Sequence, residues 1–327
     1  MVKVGIPRGL MYYEYYIMWK TFLENIGVQV VVSDKTTKPV LNDGVNCSVD
    51  EACLPVKLFH GHVINLKHKV DYLFIPRLKS VAKGEYICPK FIGLPEMIRF
   101  SIKSLPPIID VEMNVRKNEK EHFKAFECIG KMFDVHKKQT KDAYQAALKA
   151  HEHYVKEMFS GRYPIDILED KQRINSEKEL LTIGLIAHGY NLYDRYISMD
   201  ILEKLQQKDI RVITPETISE KHINAQANTL QKKMFWTSGR RLLGSVLHLM
   251  EQAEVDGIIY LMSFGCGVDA FISDLSERKI RRYTNIPFCL LTLDEHSGEA
   301  GFDTRLEAFI DMIKWRKKDA SYVSAHG

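Results

Sequence analysis

The chain reads as an α/β protein: two mainly parallel sheets covered by helices and joined by a helical connector. Three observations lead there. Residues 1–115 alternate short apolar strand-like runs with stretches of helical period. The same alternation resumes near residue 179 and continues to residue 327. Between them, residues 116–178 are charged and helix-forming, with no convincing strand. Strand–helix–strand succession favours parallel pairing, because the crossover needs a helix to return the chain to the same edge. The three segments are therefore an N-terminal α/β domain (1–115), a helical connector or arm (116–178) and a C-terminal α/β domain with a closing helix (179–327).

In the first domain KVGIP (3–7) is a short strand ending in a proline turn. MYYEYYIMWKTFLENIG (11–27) is a helix, with Tyr12, Tyr16, Trp19, Phe22 and Leu23 on one side and Gly27 as its stop. VQVVVSD (28–34) is the next strand. DEACLPVKLFHGHVINLKH (50–68) leads into a helix whose Leu58, Phe59, Val63 and Leu66 follow the helical period. VDYLFIPRL (70–78) is a strand that breaks at Pro76. GEYICPKFIGLPEMIRFSI (84–102) is an extended piece, a turn and a helix, and PPIIDVEM (106–113) gives the last strand.

In residues 116–160, Phe123, Phe126, Ile129 and Phe133 form an apolar stripe, which predicts two helices with a solvated charged face. The second domain opens with LLTIGLIAHGYNLYD (180–194), a strand and its loop. A helix (198–209), a strand (210–218) and a helix (239–255) lead to the apolar run at 257–262. IPFCLLTLDEH (286–296) is the last core strand. TRLEAFIDMIKWRKK (304–318) is a closing helix with Leu306, Phe309, Ile310 and Ile313 on one face, and DASYVSAHG reads as a frayed tail. The halves share an architecture without a sequence repeat.

Composition narrows the function. Hydrophobic residues make up 45% and charged residues 27%, ordinary for a globular protein. The net charge of +4 is spread over both signs with no long basic block, so nothing calls for nucleic acid or an anionic membrane. No apolar run approaches the ~20 residues of a membrane span. The N-terminus lacks the zones of a signal peptide, and a cytoplasmic location is expected.

The six cysteines are Cys47, Cys53, Cys88, Cys128, Cys266 and Cys289, with no Cys-x-x-Cys. In a reducing compartment they are free thiols or metal ligands, and any ligand set must converge from distant segments. Cys266 lies in SFGCGVDAFISDL, where an apolar strand hands over to a helix. Ligands of open α/β sheets bind at that end of the strands, and a helix start favours thiolate. Gly265 and Gly267 allow a tight turn and a close ligand. Cys53 precedes Pro55 near a helix start, and Cys88 precedes Pro89. Each of the three sits at a break beside Pro or Gly, which packing alone does not require. Separate structural roles remain the alternative. Cys289, in an apolar strand, and Cys128, beside Phe126 and Ile129, read as core thiols. Cys47 is open between ligand, redox partner and surface thiol.

Stretches such as GIPRGLMYYEYYIMWKTFLENIG, VDEACLPVKLFHGHV, YLFIPRLKSVAKGEYICPKFIGLPEMIR, LMSFGCGVDAFISDLSERKIRR and PFCLLTLDEHSGEAGFDTRLEAFIDMI resemble the 2-hydroxyacyl-CoA dehydratase and benzoyl-CoA reductase iron–sulfur family, nearest its small activase-related branch. The resemblance implies two flavodoxin-like (Rossmann-like) domains with a [4Fe–4S] cluster on Cys53, Cys88 and Cys266, and less strongly a double-cubane cluster. It also implies anaerobic metabolism, a separate ATP-dependent activase as electron donor, radical or reductive chemistry on an acyl-CoA or other small molecule, and pairing into a homodimer. The chain is shorter than the family's large subunits and shows no clear CoA pocket. An electron-transfer or accessory protein of an activase system is therefore the alternative. A third reading is a zinc-stabilised protein using Cys47, Cys53, Cys88 or Cys266 with His60 or His62.

Other polar residues stay open between function and surface. Lys57, Arg77, Lys83 and Lys90 flank the cysteine segments and could offset cluster charge or meet an anionic substrate, and Arg8 could bind an anion. In DEHSGEAGFDTR (294–305), His296 and Glu299 are candidate catalytic proton carriers, with Asp294 and Glu295 nearby. His188, after another strand, is a similar candidate. Ordinary surface cations are the alternative for the basic residues, and capping and loop hydrogen bonds for the 294–305 loop and His188.

Overall fold

The computed structural model describes residues 1–116, 118, 120–172, 181–252 and 255–325 of the 327. It is an α/β protein with two parallel four-stranded sheets, consistent with two flavodoxin-like domains. The strands in chain order are β1 (Lys3–Ile6), β2 (Gln29–Val32), β3 (Tyr72–Phe74), β4 (Arg77–Ser80), β5 (Ile108–Ile109), β6 (Glu112–Asn114), β7 (Leu181–Ala187), β8 (Ile210–Ile213), β9 (Gly257–Ser263) and β10 (Phe288–Leu293).

The first sheet has the order β2-β1-β3-β5 and the second β10-β9-β7-β8, every pair parallel. Within each half, the strand first in sequence lies between the second and the third, so both sheets follow one plan. The order reverses between β1 and β3, and again between β7 and β9. That reversal opens a crevice at the carboxyl ends of the strands, the place where such sheets bind ligands. The central strand β9 is apolar over Gly257–Met262 and almost wholly buried, as expected for a strand with helices on both faces.

Several elements differ from the sequence reading. A helix at Lys38–Cys47 follows β2, where none was expected. It packs on the helix Leu54–Leu66 through glycines: a Cβ on Gly44 would stand 2.0 Å from the Lys57 carbonyl oxygen, and one on Gly61 1.9 Å from that of Val40. Beyond Pro76 the chain forms β4, which pairs with β6 in a small parallel ribbon.

The segment between the sheets holds helices Lys120–Met132, Lys137–Phe159 and Pro164–Leu168. Lys137–Phe159 buries Tyr144, Ala147, Tyr154 and Met158, and the Tyr154 hydroxyl donates to the Tyr13 carbonyl at 2.5 Å. Residues 117, 119 and 173–178 of the expected connector, and 179–180, 253–254 and 326–327 of the expected second domain, lie outside the described residues. The closing helix runs from Glu299 to Ala325, so the backbone of the expected tail is helical as far as it is described. Among the described residues no helix is long and apolar enough to cross a membrane.

Candidate cofactor site

Three cysteines distant in sequence line one cavity between the two sheets: Cys53, Cys88 and Cys266. Each is the N-cap residue of a helix. Cys53 caps Leu54–Leu66, Cys88 caps Pro89–Ile92, and Cys266 caps Gly267–Tyr283. In the first two the proline in the first turn needs no N–H partner and fixes the turn. At Cys266 the turn depends on Gly265, whose φ of +75° a side chain rarely tolerates. The Gly265 backbone packs against Cys53, 3.5 Å from an ideal Gly265 Cβ to the Cys53 Cα, which brings the two cysteine loops together.

Contacts between the halves hold this arrangement. The Cys88 loop is tied to the second half by backbone bonds, Tyr86 N to Phe235 O at 2.7 Å and Thr237 N to Tyr86 O at 2.9 Å. Arg240 pairs with Glu85 at 2.8 Å and Arg241 with Glu14 at 2.7 Å. Lys57, one turn beyond Cys53, is buried against Glu295 from the loop after β10. It therefore serves an ion pair between the halves and does not line the cavity.

A helix start was expected to favour thiolate, but burial decides otherwise for two of the thiols. Desolvation pushes Cys53 up despite the nearby Lys90, and pushes Cys88 up likewise. The Cys266 sulfur accepts the Asp269 backbone N–H at 3.5 Å. Behind it lies a buried polar group: His188 Nε2 is 3.1 Å from Asp269 Oδ1, and the Tyr260 hydroxyl donates to the same oxygen at 3.0 Å. Burial works against an imidazolium at His188, but the Asp269 charge outweighs it and holds His188 well above the ordinary histidine range. Tyr190 stacks on the His188 ring at 4.8 Å and helps to shut out water.

All six cysteines are free, so three reduced thiols meet in one cavity. A soft donor set of this kind suits an iron–sulfur group, and the iron would supply the positive charge that buried thiolates lack here.

The other expectations fall elsewhere. His296 is exposed; Glu299 is also exposed and pairs with Lys204 at 2.7 Å; neither lines the cavity. Cys128 is exposed, against the expected core thiol. Cys289 is partly buried on β10, and Cys47 ends the helix Lys38–Cys47 with its thiol donating to the Gly44 carbonyl at 3.5 Å. His62 bonds Ser33 and Thr36 through its two ring nitrogens, at 2.9 and 3.1 Å, and burial pushes it down to about 3. His60 bonds the Val56 carbonyl, and neither histidine lines the cavity, so the zinc set with His60 or His62 is not assembled. Arg77 is engaged by Glu96 and Asp110, Lys83 is exposed beside a different pocket, and Arg8 lies over the Tyr12 ring. Of the flanking cations, Lys90 lines the cavity. Tyr190, Tyr260 and the Arg241 pairs were not read from the sequence.

Residues 3–218 match the model of the CoA enzyme activase uncharacterised domain. The chain belongs to this family. The match takes in Cys53, Cys88 and His188 and stops before Cys266. No curated protein matches the sequence.

Membership in this family corrects the resemblance drawn from the sequence. The family is described as an activase domain, not as the iron–sulfur component of a dehydratase or reductase, and its description names no iron–sulfur group. The dehydratase-type function, with its turnover of acyl-CoA and its iron–sulfur and anaerobic associations, loses its support. So does the expected partner: an activase domain points to the activase side of such a system, not to a recipient of electrons from a separate activase.

Proposed function

We propose that this chain is an accessory electron-transfer protein of a CoA enzyme activase system, with Cys53, Cys88 and Cys266 holding a [4Fe–4S] cluster. The observation that carries the reading is the meeting of three thiols at helix N-cap positions, from three separate segments, in one cavity between the sheets. Such a cluster supplies a one-electron relay. The residues around it suit that task. Helix N-termini and Lys90 offset negative charge. Phe91, Val56, Val268 and Tyr190 line the cavity with apolar and aromatic surface and limit water.

Anaerobic purification followed by titration with a strong one-electron reductant tests this. The expected result is a brown protein that takes up about one electron per chain reversibly and turns over no acyl-CoA thioester by itself. A colourless chain carrying stoichiometric zinc, or an iron protein that consumes thioesters unaided, would contradict it.

A further inference from the structure

We propose that His188 is the fourth protein ligand of the group held by Cys53, Cys88 and Cys266, with Asp269 orienting its ring. The assignment rests on the cluster reading above. His188 directly follows β7, and Cys266 lies just beyond β9, a neighbouring parallel strand. Both side chains therefore leave the same crevice of the second sheet. One imidazole nitrogen, the Cys266 sulfur and one Asp269 carboxylate oxygen lie within 4.8 Å of one another. His188 is 7% exposed and Asp269 0%.

His188 Nε2 is paired with Asp269 Oδ1 at 3.1 Å, which orients the ring and leaves Nδ1 as the nitrogen that would ligate, while the buried Asp269 Oδ2 has no hydrogen-bond partner. A buried polar atom left in that condition costs about 1–3 kcal/mol. A fold that keeps such an oxygen and an imidazole beside a thiol is one arranged for a cation. Tyr260 fixes the carboxylate from behind and Tyr190 fixes the ring from its face. A carboxylate beside a ligating histidine is the usual way to set the ring's orientation and basicity. Among the described residues His188 is the one imidazole lining the cavity.

This coordination has a functional consequence. Three thiolates and an imidazole leave no iron of a four-iron group open to substrate, which is what a relay needs and a substrate-binding catalyst lacks. A neutral imidazole in place of a fourth thiolate also raises the reduction potential.

The test uses the full chain prepared anaerobically, with and without ¹⁵N-labelled histidine, as wild type and H188C. Iron and acid-labile sulfide are counted first, and the reduced protein is then examined by pulsed electron paramagnetic resonance. The expected wild type has about four iron and four sulfide per chain and a nitrogen coupling that changes with the label. H188C keeps its iron and sulfide and loses that coupling. A wild-type cluster without histidine coupling, or a coupling that persists in H188C, overturns the ligand assignment alone. A wild type without sulfide, whether metal-free or holding a single ion, overturns the assignment and the cluster reading together.

Discussion

The two walls of the cysteine cavity are built differently. The N-terminal wall supplies Cys53 and Cys88, and both thiols are placed by packing. Cys53 rides on a helix whose Gly61 touches the backbone of its neighbour, and burial keeps both thiols protonated. The C-terminal wall supplies Cys266, backed by the buried His188, Asp269 and Tyr260. One wall fixes sulfur through shape and the other surrounds it with charge. The difference shows how a chain can hold an electron carrier in a dry place: apolar packing sets distance, and one polar flank sets charge and ligand field.

The comparison can be broken most severely on the packed wall. G61V would drive a side chain into the Val40 carbonyl, which is backbone and cannot turn away. The two helices must part, and we expect little folded protein, checked by circular dichroism and gel filtration. On the charged wall, D269A strips His188 and Tyr260 of their buried partner. We expect a loss of about 3–5 kcal/mol in urea unfolding of the metal-free chain. An unchanged midpoint would mean that this wall, too, is held by packing.

A smaller effect is expected where the walls are tied together. E295Q removes the partner of Lys57, whose side chain is 5% exposed, while Glu295 keeps 19% of its own in water. The cost should be about 2 kcal/mol at neutral pH, below that of a fully buried pair. Burial works to raise the Glu295 carboxyl, but the bond from Lys57 holds it below its ordinary 4.5. The stabilisation is therefore complete above pH 4.5 and is lost as pH falls through the lower native value. Urea titrations of wild type and E295Q at neutral and acid pH should converge on the acid side. A gap that stays constant with pH would assign the loss to packing.

Much of the packed wall was legible in the sequence. Pro55, Pro89 and the Gly265–Gly267 pair mark the breaks where the three cysteines sit, and apolar runs mark most of the strands. The charged wall was harder to read. Asp269, in the first turn of its helix, looks like an ordinary favourable acid at a helix N-terminus until its burial is seen. The helix Lys38–Cys47 was hidden because Asn42, Asp43 and Gly44 are weak helix formers. Its reason for Gly44 lies 13 residues further on, at the Lys57 carbonyl. Cys128 was misread because its neighbours are apolar. The buried stripe runs through Phe126 and Ile129, and Cys128 falls on the opposite face. Lys57 was read as a cation for the site, but a carboxylate 238 positions away claims it.

The most direct test of the central claim is the iron and sulfide content of six single cysteine-to-serine variants, each prepared anaerobically beside wild type. C53S, C88S and C266S should lose most of their iron and sulfide while remaining folded, and C47S, C128S and C289S should match wild type. Full iron and sulfide in any of the first three would contradict the shared site, as would their loss in C128S.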